Sequence, residues 1–196
     1  QNRGLKVNSL NPKLLSYDNE RQELSRNDLS GVNVGLMYNN TSSYDEITAE
    51  VESLGGQVEY LGSSFDASEL EDIDVLLIGV NLNISTTMNG IVNNWIQEGG
   101  GVFFDYINTS DFNSIVSGSG LSYSLTNTGT VNTSNITSHP VTDGISTYYC
   151  EGSANSILVS GDALSIVEDT NNNIAVAVSE LGEGRIVASS EYVVYD

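Results

Sequence analysis

Basic side chains are scarce in this sequence. It holds 6 Lys and Arg against 26 Asp and Glu, a formal net charge of −20. Five of the six bases, Arg3, Lys6, Lys13, Arg21 and Arg26, lie in the first 26 residues; Arg185 is the sixth, and 27–184 contains none. A surface of that sign repels phosphate backbones, which argues against nucleic acid as a partner and disfavours ATP or dinucleotides. Helix N-termini remain able to hold a phosphate. The excess of carboxylates fits solubility, mutual repulsion between neighbours at a surface, or cation binding. Charged residues total only 16%, low for extreme halophily. Cysteine is almost absent: Cys150 stands alone, so no internal disulfide forms. Within the strand-like stretch STYYCEG it reads as a buried, inert thiol rather than a nucleophile. No run approaches the ~18 apolar residues of a membrane span. No signal-peptide pattern opens the sequence, and Gln1 as first residue fits a processed or trimmed chain.

Asparagine, serine and threonine are plentiful. N-x-S/T sequons begin at Asn39, Asn40, Asn83, Asn108, Asn132 and Asn135. Their density, with the shortage of Lys, points to a cell-surface or secreted glycoprotein carrying N-linked glycans.

Residues 1–30 differ from the rest. They show no sustained period and read as an N-terminal arm or linker, with one short helix around 18–26. Five bases against three acids (Asp18, Glu20, Glu23) suit either docking onto an acidic neighbour or simple solvation. From Val32 the pattern is regular. VNVGLMY (32–38) is a buried strand; 43–56 is a helix with Ile47, Val51 and Leu54 inward; QVEYL (57–61) is a second strand. A short helix or turn at 66–72 precedes DVLLIGV (74–80), a continuous apolar strand of the kind a parallel sheet buries on both faces. A helix over 85–100 turns Met88, Ile91, Val92, Trp95 and Ile96 inward, and GVFFDY follows. This alternation predicts an α/β fold with a parallel sheet covered by helices. The second half reads as a weak helix at 109–121, a polar loop or irregular strand pair at 122–138, and then short strands: HPVTDGI, STYYCE, SILVSG, a hairpin turning at EDTNNN, and GRIVAS. No internal repeat is present.

The order strand, helix, DIDVLLIGV, helix, GGGVFFDY, SHPVTDGI, hairpin, GEGRIVASSEYVVYD resembles the glutamine-amidotransferase-like domains of the class I superfamily. The likeness is closest to the non-catalytic branch that includes ThuA-like and DUF4350-type domains and the domain shared by gliding-motility and intraflagellar-transport proteins. It covers about residues 32–196, and its most specific pieces are HPVTDGI (139–145) and GEGRIV (182–187). It implies a flavodoxin-like three-layer sandwich, mostly parallel, with antiparallel edge strands in the C-terminal half. It also implies one domain over 31–196, with a further helix beyond the last strand in comparable domains; the apolar segment Tyr192-Val193-Val194-Tyr195 would then invite a partner.

In catalytic members of that group, a strained turn after the Gly-rich helix end carries a Cys nucleophile. The matching turn here is Asp105-Tyr106-Ile107-Asn108, with no Cys, Ser or Thr; Thr109 and Ser110 come too late. His139 is the only histidine, and its His-Pro context resembles the non-catalytic branch. The nucleophile–base–orienter set therefore lacks its first member. The carboxyl end of such a strand is nonetheless where open α/β sheets bind ligands. Asp105 either caps a backbone N–H under Tyr106, or joins Glu191 or Asp143 in a carboxylate cluster that binds a cation or acts as acid and base. Asp105, His139 and Glu191 are the candidates if the site is active, and Asp105 and Glu191 the weak candidates for a metal. His139 alone suits bonding to the backbone at Pro140. No cofactor and no catalysis are expected. The expected function is that of an extracellular domain contacting other protein chains, itself or neighbouring subunits, in a surface assembly. The alternatives are a carbohydrate-binding or sugar-processing domain, which needs a pocket lined by Asp105, Tyr106, His139 and Glu191, and an accessory domain of a larger secreted enzyme.

Overall fold

The computed structural model describes residues 28–38, 42–79, 84–105, 107–124, 128–150, 152 and 155–190. The first half alternates as the sequence predicts: β1 (Asn33–Met37), α1 (Ser42–Ser53), β2 (Gln57–Tyr60), a 3-10 turn (Ala67–Leu70), β3 (Val75–Ile78), α2 (Thr86–Gln97), β4 (Gly101–Asp105) and α3 (Thr109–Ile115). The second half holds β5 (Leu121–Tyr123), β6 (Val131–Thr133), a 3-10 turn (Pro140–Thr142), β7 (Tyr148–Cys150), β8 (Ile157–Val159), β9 (Leu164–Glu168), β10 (Ile174–Leu181) and β11 (Gly184–Ser189). The helix expected around 18–26 and the segment 192–195 lie outside the described residues.

The main sheet has nine strands, in the order β2-β1-β3-β4-β11-β10-β8-β5, with β9 also on β10. β2, β1, β3, β4 and β11 run parallel, and β10, β9, β8 and β5 add antiparallel pairs. The fold is therefore the mixed, mostly parallel α/β sandwich expected. β3 and β4 read as continuous apolar runs because both their faces are covered. On one face Leu76, Ile78, Val102, Phe104, Ile186 and Ala188 pack under Met88, Val92 and Ile96 of α2 and Phe112 and Ile115 of α3. Each large apolar side chain so buried contributes roughly 1.5–3 kcal/mol. On the opposite face Val34, Leu36 and Tyr38 meet Ile47 and Val51 of α1. Beside them Val176, Val178 and Val187 pack with Ile166, Val167 and the buried thiol of Cys150.

Cys150 belongs to a feature the sequence does not announce. β6 and β7 form a separate two-stranded antiparallel sheet that covers the second face where a helix would otherwise lie. HPVTDGI is a 3-10 turn rather than a strand. Pro140 occupies the first turn, where its missing N–H costs nothing, and His139 caps it by accepting from Val141 N at 3.2 Å. The weak helix expected over 109–121 closes at Ile115, with Val116 as its cap.

The GEGR hairpin is explained by backbone contact. The turn between β10 and β11 rests on the C-terminus of α2, with Glu183 N donating to Gln97 O and Arg185 N to Gly100 O. A Cβ at Gly184 would lie 1.9 Å from Ile96 O and 2.5 Å from Gly100 O, so only glycine fits. The motif's glycine is thus structural, holding helix and hairpin together.

Candidate functional site

The carboxyl ends of the parallel strands converge on Asp105. It is the last residue of β4 and is 0% exposed. Its register partner on β11 is Ser189, also fully buried. From β1, two strands away, Tyr38 reaches over the end of β3 and donates its hydroxyl to Asp105 Oδ2 at 3.3 Å. That reach depends on Gly79: a Cβ there would lie 1.8 Å from the Tyr38 ring. Ser189 ties in the other side. Its Oγ lies 3.3 Å from the Tyr148 hydroxyl of β7, and its carbonyl accepts from the Tyr123 hydroxyl of β5 at 2.6 Å. Tyr123 in turn stacks on Phe112, centroids 3.9 Å apart, and Phe112 meets Phe104 edge-on at 5.1 Å. Beside this network Ser190 Oγ is buried with no hydrogen-bond partner.

A second buried carboxylate braces the two helix starts that flank the site. Asp111 accepts from Ile84 N at 3.2 Å and from the Asn89 side-chain amide at 3.1 Å. Asn108, the N-cap of α3, completes the brace. Its Oδ1 accepts from Asp111 N at 3.0 Å and from Ser110 Oγ at 2.7 Å, and its Nδ2 donates to Asp111 Oδ2.

The structure does not bring the expected set together. His139 lines a groove of about 1330 Å³ with Arg185 and Val187. Arg185 sits at the start of β11, paired with Gly101, whereas Asp105 faces Ser189 at its end. A pocket shared by His139 and Asp105 is therefore not formed, because the Pro140 turn anchors the imidazole to its own backbone. Asp143 is exposed at the end of that same turn, unlike the buried Asp105. Glu191 and Tyr106 lie outside the described residues, as do the sequons at Asn39, Asn40 and Asn83. Among the described residues no group of three or more His, Cys, Asp or Glu is placed to hold a metal ion. Of the remaining sequons, Asn132 and Asn135 are exposed, with Asn135 Nδ2 donating to Glu168 at 3.1 Å, whereas both atoms of the Asn108 amide serve the cap. No helix among the described residues is long and apolar enough to cross a membrane.

Sequence reasoning found the address, the end of β4, and missed its occupants. Tyr38, Tyr123, Tyr148 and Ser189 come from four strands, and no local spacing links them. One signal was available: DVLLIGV breaks at Gly79, and a glycine at a buried strand end marks a close approach by another group.

Comparison with solved structures places this architecture. The chain superposes on a GMP synthase subunit from Thermoplasma acidophilum with a TM-score of 0.60 at 14% identity, covering 81% of this chain and 82% of that one. The chain has a glutamine-amidotransferase-like fold. A ThuA-like protein from Bacteroides uniformis matches at TM-score 0.53 and 11% identity, over 83% of this chain and 82% of that one. An exo-β-1,4-mannosidase from an Opitutaceae bacterium matches at 0.57 and 14%, over 82% of this chain but only 31% of its own. No family model and no curated protein matches the sequence. Against this fold the end of β4 is the notable position. The chain there reads Asp105-Tyr106-Ile107-Asn108, and Asp105 is bonded and sealed from solvent.

Proposed function

We propose that this chain is a non-enzymatic extracellular glycoprotein domain, of the ThuA-like or DUF4350-type branch, that acts by protein–protein contact in a cell-surface assembly. One observation carries the reading. At the strand end where catalytic relatives would hold a nucleophile, Asp105 is fully buried and bonded to Tyr38, and His139 lines a different groove. Acyl or amide transfer needs an accessible nucleophile within reach of a base. Dense sequons and a basic-poor sequence support the extracellular setting. The test is native mass spectrometry on protein from its own source, before and after deglycosylation. Sugar mass together with a multimer or a co-purifying chain supports the reading. A bare monomer at 21.0 kDa overturns it.

A second reading draws on the mannosidase, in which this fold makes up under a third of the chain. It takes the domain as an accessory piece of a larger secreted, sugar-processing enzyme or as a carbohydrate binder. Binding of the full chain on a glycan array, abolished by Asp105→Asn without loss of fold, would favour it.

A further inference from the structure

β2 is an edge strand: it begins the sheet order, and among the described residues it pairs only with β1. Gln57 N and Leu61 N donate inward, to Val32 O at 2.9 Å and Leu36 O at 3.0 Å. The alternation of a parallel ladder therefore turns the N–H and C=O of Val58 and Tyr60 outward. Such an edge is a template for another strand, and native proteins cover or blunt it. Tyr60 on it is 58% exposed.

The surroundings of this edge are uniformly acidic. Asp45, Glu46, Glu50 and Glu52 are exposed on α1, which packs on one face; Glu59 is exposed on the strand; four more exposed carboxylates lie around the 3-10 turn that follows it. No Lys or Arg occurs anywhere in 27–184. Residues 28–196 hold one base against 23 acids, and residues 1–27 hold five bases against three. The arm is the chain's one positive segment. It also joins the domain at this place: Leu29 N donates to Leu54 O at 2.7 Å, in the link between α1 and β2. A random-coil tether of 27 residues would span about 30 Å, well beyond the roughly 13 Å of a four-residue strand. Tethering supplies an effective concentration near millimolar. Folded bodies of net charge −22 repel one another, which favours the chain's own arm over a neighbour's.

We propose that the N-terminal arm docks along the outer edge of β2 of its own domain, adding main-chain hydrogen bonds to Val58 and Tyr60 and setting its bases against the acids on either side. The test is site-resolved amide hydrogen exchange on the full chain. At about 20 mM salt the Val58 and Tyr60 amides should exchange at least roughly tenfold more slowly than at about 0.5 M, where charges are screened within a few ångströms. The variant R3Q/K6Q/K13Q/R21Q/R26Q should exchange fast at those two sites at either salt. Gln57 and Leu61, bonded inward, should stay protected throughout and report an intact fold. If the variant does not fold, the wild-type salt series decides. Unprotected Val58 and Tyr60 at low salt overturn the proposal, as does protection indifferent to salt. Protection that fades on dilution assigns the edge to another copy's arm and overturns it as well.

Discussion

Asp169 offers the sharpest test of how the C-terminal half is held. It opens the β9–β10 turn and is 0% exposed, yet its carboxylate accepts four hydrogen bonds. Oδ1 takes Asn171 N at 2.7 Å and Asn173 N at 2.8 Å; Oδ2 takes Gly129 N at 2.7 Å and the Asn173 amide at 2.9 Å. The first pair closes the turn, and the Gly129 bond ties in the loop leading to β6. Asp169→Asn keeps the shape and one acceptor. Its new NH2 faces two donors, Gly129 N and Asn173 Nδ2. Each stranded, buried donor costs about 1–3 kcal/mol, so the variant should lose about 2–5 kcal/mol. For a chain of this length that is roughly 5–15 °C in Tm, read by circular dichroism. The pH dependence adds a second arm. Burial pushes the Asp169 carboxyl up, but bonds from the Asn173 side chain, Gly129 N, Asn173 N and Asn171 N outweigh it and hold the group below its ordinary 3.8. A lowered folded-state pKa means stabilisation fully present above the unfolded value and lost as pH falls through the folded one. The gap between wild type and Asp169→Asn should therefore be full near neutrality and narrow in acid below pH 3.8. A gap under about 0.5 kcal/mol near neutrality, or one that stays constant into strong acid, would refute the reasoning.

Other substitutions probe the site and its supports. Gly79→Ala should cost about 1–3 kcal/mol by pushing Tyr38 off Asp105; in a Tyr38→Ala background the penalty should nearly vanish, which a double-mutant cycle reads directly. Gly184→Ala drives a Cβ into the carbonyls of Ile96 and Gly100, and soluble expression should collapse. Gly90→Ala, in exposed α2 with nothing within 4 Å, should instead raise stability by about 1 kcal/mol in urea titration. Ser190→Ala should be neutral or mildly stabilising by the same titration, because its buried hydroxyl has no partner to lose.

What the sequence disclosed follows the range of the forces involved. β3 and β4 were legible because strands buried on both faces must be apolar throughout, and α2 because its inward stripe repeats within two turns. The EDTNNN hairpin was legible from turn chemistry, realised in Asn172 at φ 64° and the Asp169 bonds. The β6–β7 ribbon was not. Val131 pairs with Cys150 across 19 residues, in strands of three residues with polar neighbours, so no local period betrays it. HPVTDGI misled for a different reason: Val141 and Ile145 suggest an apolar strand, yet both are exposed, and Pro140 imposes the turn. The site shows the same division. The end of β4 could be located from Gly-Gly-Gly followed by Val-Phe-Phe-Asp. Its partners could not, since Tyr38 is 67 residues from Asp105 and Ser189 is 66 from Tyr123.

That long-range assembly also bears on why the site reads as structural. A buried carboxylate is costly unless hydrogen-bonded, and Asp105 is bonded by a tyrosine that reaches it only because Gly79 lacks a side chain. Ser189, opposite it, is held by hydroxyls from β5 and β7, so four separate elements are pinned to one point of the sheet. A catalytic group must change partners during turnover, and it must meet substrate. Asp105 has no exposed surface, and loosening it would release β1 and the β7 ribbon together. The fold has kept the location and turned its polar residues inward, where they join parts of the chain that the sheet's hydrogen bonds alone do not connect.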